Sequence, residues 1–210
     1  MNWMKKVAVA LVCLLPLGLQ AAKIDTLQVK SPSMNKSIEV VVVSPDVAAT
    51  KACPVIYLLH GYGGNACTWV GIKPDLPKIA DEKGIFFVCP DGKNTWYWDS
   101  PLNADVRYET FISNELVKYV DSHYKTVADR KGRAITGLSM GGHGAMWNGL
   151  RHSDVFSAAG STSGGVDIRP FPKNWEMSVQ IGEKAKYPEN WEKYTVINFC
   201  LLYTSPSPRD

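Results

Sequence analysis

Apolar residues fall into short runs along the first two thirds of the chain, and polar turn signals separate the runs. Lys23 to Lys30 and Ile38 to Ser44 ("IEVVVVS") read as strands joined by the polar turn "SPSMNKS". In "CPVIYLLHG" the run Val55 to Leu59 is apolar throughout, as in a strand covered on both faces, and it ends in the Gly-rich loop "HGYGGN". Leu76 to Lys83 reads as a short helix, and "GIFFVCPDG" repeats the pattern of buried strand followed by polar turn. Phe111, Ile112, Leu116, Val117, Val120 and Tyr124 recur at helical spacing, which predicts a helix from Tyr108 to Tyr124. Then "RAITGLS" predicts a strand, "GGHGAMWNGLRH" a helix and "FSAAGSTSG" another strand. Strands alternating with helices imply an α/β fold with a mostly parallel central sheet and helices on both faces. Beyond Gly165 the chain is polar, aromatic and punctuated by proline. Loops and short helices over the mouth of a site, rather than core, are expected there.

The two ends differ in character from this middle. Lys5 and Lys6 precede an apolar run from Val7 to Leu19, and the small residues Ala21 and Ala22 follow, the layout of a secretory signal peptide. The run is shorter than the ~20 residues a membrane helix needs. Residues 1–22 are therefore expected to be removed on export, which predicts a secreted or periplasmic protein without a stable membrane anchor. The last stretch, "CLLYTSPSPRD" (200–210), resembles at every position a transposase-type sequencing adapter read in one frame, and is set apart from the fold. The domain expected to fold is 23–199.

Charge and cysteines narrow the function only slightly. The net charge of the 210 residues is +3, and Lys5 and Lys6 contribute two of it, so no nucleic-acid surface is implied. With Cys13 in the leader and Cys200 in the tail, Cys53, Cys67 and Cys89 remain. This odd number leaves at least one free unless a partner lies elsewhere; a Cys53–Cys67 bridge is conceivable. Their spacing fits no zinc site, and no metal or organic cofactor is implied.

Chemistry concentrates at "AITGLSMGGHGAM". Gly137-Leu138-Ser139-Met140-Gly141 matches G-x-S-x-G, with an apolar strand running in and a helix running out. Such a turn strains the serine backbone so that its hydroxyl projects above the sheet. Side chains at Gly137 and Gly141 would collide with the neighbouring strand and helix. An acyl-transfer enzyme also needs two donors for the oxyanion. The Met140 N–H is one candidate. The other is the Tyr62 N–H, in a loop where Gly61, Gly63 and Gly64 allow close backbone approach. A structural role is expected for the His60 ring. The aromatics Trp96, Tyr97 and Trp98 of "NTWYWDS" either floor an acyl or aryl pocket or serve as packing. His143 and Asn148, on the helix after Ser139, read as supporting or surface residues.

Taken in order, "LLHGYGGN", "VCPDGKNTWYWDSP", "YETFISNELVKYVDSHY" and "GLSMGGHGAM" resemble the esterase D-like family of α/β-hydrolases. That family includes S-formylglutathione hydrolase, feruloyl and acetyl xylan esterases and mycolyltransferases. The likeness covers Lys30 to Phe199. It implies the α/β-hydrolase fold, Ser139 as nucleophile, and the Met140 and Tyr62 amides as the oxyanion hole. It also implies a small-molecule or carbohydrate ester as substrate.

The base and acid are harder to find. The order in this fold is Ser, then Asp or Glu, then His. After Ser139 the only histidines are His143, on the helix that follows, and His152, at its end. Asp154 and Asp167 come early for the acid. The partners of Ser139 are therefore expected beyond Phe199, in sequence this chain does not carry, which would make the chain an inactive fragment with an incomplete sheet. The expected activity of the whole is a secreted serine esterase. Alternatives are an acyltransferase with the same nucleophile and a non-catalytic ligand-binding relative. The sequence does not fix the oligomeric state.

Overall fold

The computed structural model describes residues 22–200, and of residue 200 only the backbone. The predicted leader through residue 21 and the adapter-like stretch 201–210 lie outside the described residues.

The strands are β1 (Lys23–Ser31), β2 (Lys36–Ser44), β3 (Val55–Leu59), β4 (Phe86–Pro90), β5 (Arg133–Gly137) and β6 (Ala158–Ala159). They form one sheet in the order β1-β2-β4-β3-β5-β6. β1 and β2 form an antiparallel hairpin, β2 joins β4 antiparallel, and β4, β3, β5 and β6 run parallel. The helices are α1 (Thr68–Ile72), α2 (Leu76–Lys83), α3 (Tyr108–Thr110), α4 (Leu116–His123), α5 (Met140–Arg151), α6 (Met177–Ile181), α7 (Pro188–Lys193) and α8 (Ile197–Cys200).

The fully apolar runs are explained by burial on both faces. Along β2, Val40 and Val42 join one apolar cluster while Val41 and Val43 join the other. β4 divides in the same way, Phe86 and Val88 against Phe87 and Cys89. The smaller cluster is closed by Leu76 and Ala80 of α2, and the larger by Leu116 and Val120 of α4 and Ala145 and Trp147 of α5. The expected mostly parallel sheet with two covered faces is therefore present, with β1 and β2 added antiparallel at one edge.

Three expectations need correction. The helix expected from Tyr108 to Tyr124 is not uniform, because a π-helical turn (Phe111–Glu115) separates α3 from α4. Within it the Ser113 hydroxyl donates to the Glu109 carbonyl at 2.7 Å, so a side chain competes for an acceptor of the regular helix. The strand expected over "FSAAGSTSG" is ladder-paired only at Ala158–Ala159, with an isolated bridge between Leu138 and Thr162. The segment after Gly165 does contribute core: Ile168, Met177, Ile181, Trp191 and Val196 are buried in the larger cluster. Met177 and Ile181 lie on α6 and Trp191 on α7, while Ile168 and Val196 lie in the connecting loops, so no single periodicity reveals them. Cys53, Cys67 and Cys89 are all free.

Trp191 measures the contribution of this segment. It is fully buried, and its indole N–H donates to the Gly182 carbonyl at 2.9 Å. Trp191→Ala should lower unfolding stability by about 3–5 kcal/mol in urea titrations; a loss below about 1 kcal/mol would show that the segment is not part of the core.

Candidate active site

The turn between β5 and α5 leaves no room for side chains at two positions. A Cβ on Gly141 would fall well inside van der Waals distance of the Leu59 carbonyl. One on Gly137 would meet the Gly141 backbone. Between them Ser139 has φ 55° and ψ −117°, a strained conformation for a residue with a side chain. Its N–H donates to the Thr162 carbonyl at 2.8 Å, and the Thr162 N–H donates to the Gly137 carbonyl at 2.9 Å. The strap after β6 thus fixes the turn from outside. Ser139 itself is exposed, and its hydroxyl has no hydrogen-bond partner among the described residues.

Ser139 opens onto a cleft of about 250 Å³. Tyr62, Trp96 and Met140 line it, as do Phe171, Trp175 and Met177 from the segment after Gly165. Of the three aromatics singled out in the sequence, Trp96 alone lines the cleft. Tyr97 and Trp98 are fully buried behind it as packing. Tyr97 lies where a Cβ on Gly92 or Gly144 would stand, and its hydroxyl donates to the His60 carbonyl at 3.0 Å. The Trp98 indole donates to His143 Nε2 at 3.0 Å. Trp175 and Phe171 were not identified from sequence, since nothing local marks them as neighbours of Ser139.

The loop after β3 lies against this turn. A Cβ on Gly61 would be 3.5 Å from the Ser139 Cβ, and Gly63 needs its glycine for φ 76°. The Gly61 carbonyl is held by His60 Nδ1 at 2.7 Å and by the Gly64 N–H at 3.0 Å. That carbonyl shares a trans peptide plane with the Tyr62 N–H, so fixing one end directs the other. Neither the Tyr62 nor the Met140 N–H donates to an acceptor among the described residues. Met140 is the first residue of α5, where an amide has no intrahelical acceptor and the helix dipole favours negative charge.

The four histidines of the sequence are all engaged away from the Ser139 hydroxyl. His60 accepts the Gly92 N–H at Nε2, at 2.9 Å. His123 contacts the Tyr119 carbonyl at 2.8 Å. His152 pairs with Glu109 at 2.9 Å. His143 is fully buried rather than on the surface; Nδ1 donates to the Gly165 carbonyl at 2.7 Å, and Nε2 accepts the Trp98 indole N–H at 3.0 Å. Burial lowers its pKa to about 4, against the opposing effect of the Gly165 bond. Asn148 is likewise buried, donating to the Gly144 carbonyl at 2.9 Å. Asp167 lines the cleft, but its carboxylate is ion-paired with Arg169 at 2.8 Å; that bond, more than any other influence, holds its pKa down.

A second cluster supports α5. Glu109 accepts from Trp147 Nε1 at 2.8 Å, Arg151 Nε at 2.7 Å and His152 Nε2 at 2.9 Å. Burial alone would raise its pKa, but these partners lower it.

With this geometry in hand, similarity to known proteins is specific. Residues 31–199 match the Esterase family, and the chain belongs to that family. It is 28% identical over 149 residues to an esterase of Mycobacterium tuberculosis, covering 68% of this chain and 32% of the relative. It is 32% identical over 102 residues to an acetyl esterase of Caldicellulosiruptor saccharolyticus, covering 48% and 37%. Among solved structures, a ferulic acid esterase superposes with a TM-score of 0.70 at 28% identity, covering 88% of this chain and 73% of that one. The fold is the α/β-hydrolase fold. The chain spans about a third of the length of the first curated relatives it matches.

The buried, neutral His143 gives the fold an acid sensitivity. Its pKa is lower folded than unfolded, so the unfolded chain binds more protons between about pH 6.5 and 4. The stability it contributes is complete above that window and is lost as pH falls through it. Unfolding free energy should drop by about 2 kcal/mol between pH 7 and pH 5, with the His143 ring still neutral by NMR at pH 5. A His143 ring protonated at pH 5 in the folded protein would contradict this.

Proposed function

We propose that the protein is a serine carboxylic-ester hydrolase in which Ser139 is the nucleophile. The observation that carries this reading is one exposed serine on a strained turn, facing a cleft beside two backbone N–H groups without acceptors, those of Tyr62 and Met140. The Ser139 oxygen attacks the ester carbonyl carbon while a general base takes the hydroxyl proton. The tetrahedral oxyanion accepts hydrogen bonds from the Tyr62 and Met140 amides, which need no reorientation at that moment. Collapse breaks the bond to the alcohol, which leaves with the proton from the base. Water, activated by the same base, then cleaves the acyl-serine to acid and free Ser139.

All four histidines of this chain are committed elsewhere, so the base and its orienting acid come from sequence beyond it. The length shared with the relatives is consistent with this, and the chain alone is then inactive. The leader-like residues 1–22 support action outside the cytoplasm. Relatives named acetyl esterase and ferulic acid esterase, together with the aromatic walls Trp96, Phe171 and Trp175, favour acyl or aryl esters, including those carried by carbohydrates.

The test uses the complete gene product. Ser139→Ala should cut p-nitrophenyl acetate hydrolysis by at least about 10³-fold with the fold intact. Activity within tenfold of the parent would remove Ser139 from the nucleophile role. Repeating the assay with added sugar alcohol distinguishes transfer from hydrolysis through the same acyl-serine.

A further inference from the structure

The turn after β4 is unusually strained. Lys93, Trp96 and Tyr97 all have positive φ, and so do Trp175 and Glu176 on the opposite wall of the cleft. Such residues persist only where the surroundings hold them, and they cluster at functional sites. Two hydrogen bonds join these strained segments. The Trp96 indole donates to the Trp175 carbonyl at 3.1 Å, and Asn94 Nδ2 donates to Glu176 Oε2 at 3.3 Å. Asn94 has a second contact in the other direction: its Oδ1 accepts the Gly63 N–H at 2.9 Å.

Gly63 follows Tyr62 directly. The Tyr62 peptide is therefore held on one side through the Gly61 carbonyl, by His60 and Gly64, and on the other through the Gly63 N–H, by Asn94. Without Asn94, nothing else among the described residues bonds the Gly63 N–H. That side of the Tyr62 peptide would then keep no backbone hydrogen bond, and only the Tyr62 side chain would still meet Glu176.

We propose that Asn94 is a positioning residue: it ties the Gly61–Gly63 loop to Glu176 on the far wall and so aims the Tyr62 amide at the Ser139 reaction centre. This rests on the reading of Tyr62 as an oxyanion donor. The amide of Asn94 is suited to the task because it accepts and donates at once, and each of its two neighbours needs the opposite function. Aspartate, of the same shape, keeps the acceptor toward Gly63 but sets a second carboxylate against Glu176. Glutamine at 176 restores a donor toward that aspartate.

The test is a double-mutant cycle in the complete gene product with p-nitrophenyl acetate at pH 8, with Ser139→Ala as the control for the parent reading. Asn94→Asp should lower kcat about tenfold with KM within about twofold, less than the 10²–10³ lost when an oxyanion donor is removed. Combining it with Glu176→Gln should return kcat to within about threefold of the parent, making the cycle non-additive by at least about threefold. A residue that serves only packing would give additive effects and no rescue. A parental kcat for Asn94→Asp, or a double variant no faster than the single one, would overturn the proposal while a dead Ser139→Ala left the esterase reading standing. A Ser139→Ala variant that stayed active would remove the parent reading instead.

Discussion

The approach of α5 to the end of β3 is the constraint on which the site depends. At Gly141 the helix backbone passes so near the Leu59 carbonyl that no side chain fits, and Gly137 is closed off in turn by Gly141. Because the helix starts there, Ser139 is forced into positive φ and its hydroxyl projects away from the sheet. The same approach brings Gly61, two residues beyond Leu59, against the Ser139 Cβ. One packing requirement therefore sets the Ser139 hydroxyl, the first amide of α5 and the loop bearing the Tyr62 amide in a common frame.

The layer behind this frame is aromatic and rigid. Tyr97, in a strained conformation, fills the space left by Gly92 and Gly144 and bonds the His60 carbonyl, while Trp98 bonds His143. His143 in turn holds the Gly165 carbonyl at the start of the segment that walls the cleft. Both imidazoles near the turn thus serve as connectors with both nitrogens occupied. The residues that line the cleft are backed by residues that never enter it.

The parts of this design visible in the sequence are those that depend on local spacing. Gly137 and Gly141 flank Ser139 at a fixed interval, and the alternating burial of Val40 to Val43 follows from an unbroken apolar run between two turns. Long-range features were not visible. Which of Trp96, Tyr97 and Trp98 faces the cleft is set by how the turn after β4 folds, with Lys93, Trp96 and Tyr97 all at positive φ. Trp175 and Glu176 reach the site through a loop with no periodicity, and the burial of Trp191 depends on how three short helices fold back. Asn94 gave no signal, because its two partners lie 31 and 82 residues away. The four histidines could be checked one by one, and none bonds the Ser139 hydroxyl among the described residues.

The central claim is that this turn makes Ser139, and no other residue, reactive toward an acyl or phosphoryl centre. The direct measurement is to treat the complete gene product with a p-nitrophenyl phosphate triester and locate the modification by peptide mass spectrometry. A single phosphoryl adduct on the Ser139 peptide, with stoichiometric release of p-nitrophenol, is the predicted result. An unmodified Ser139 in an enzyme inactivated by the reagent, or an adduct on another residue, would contradict the account.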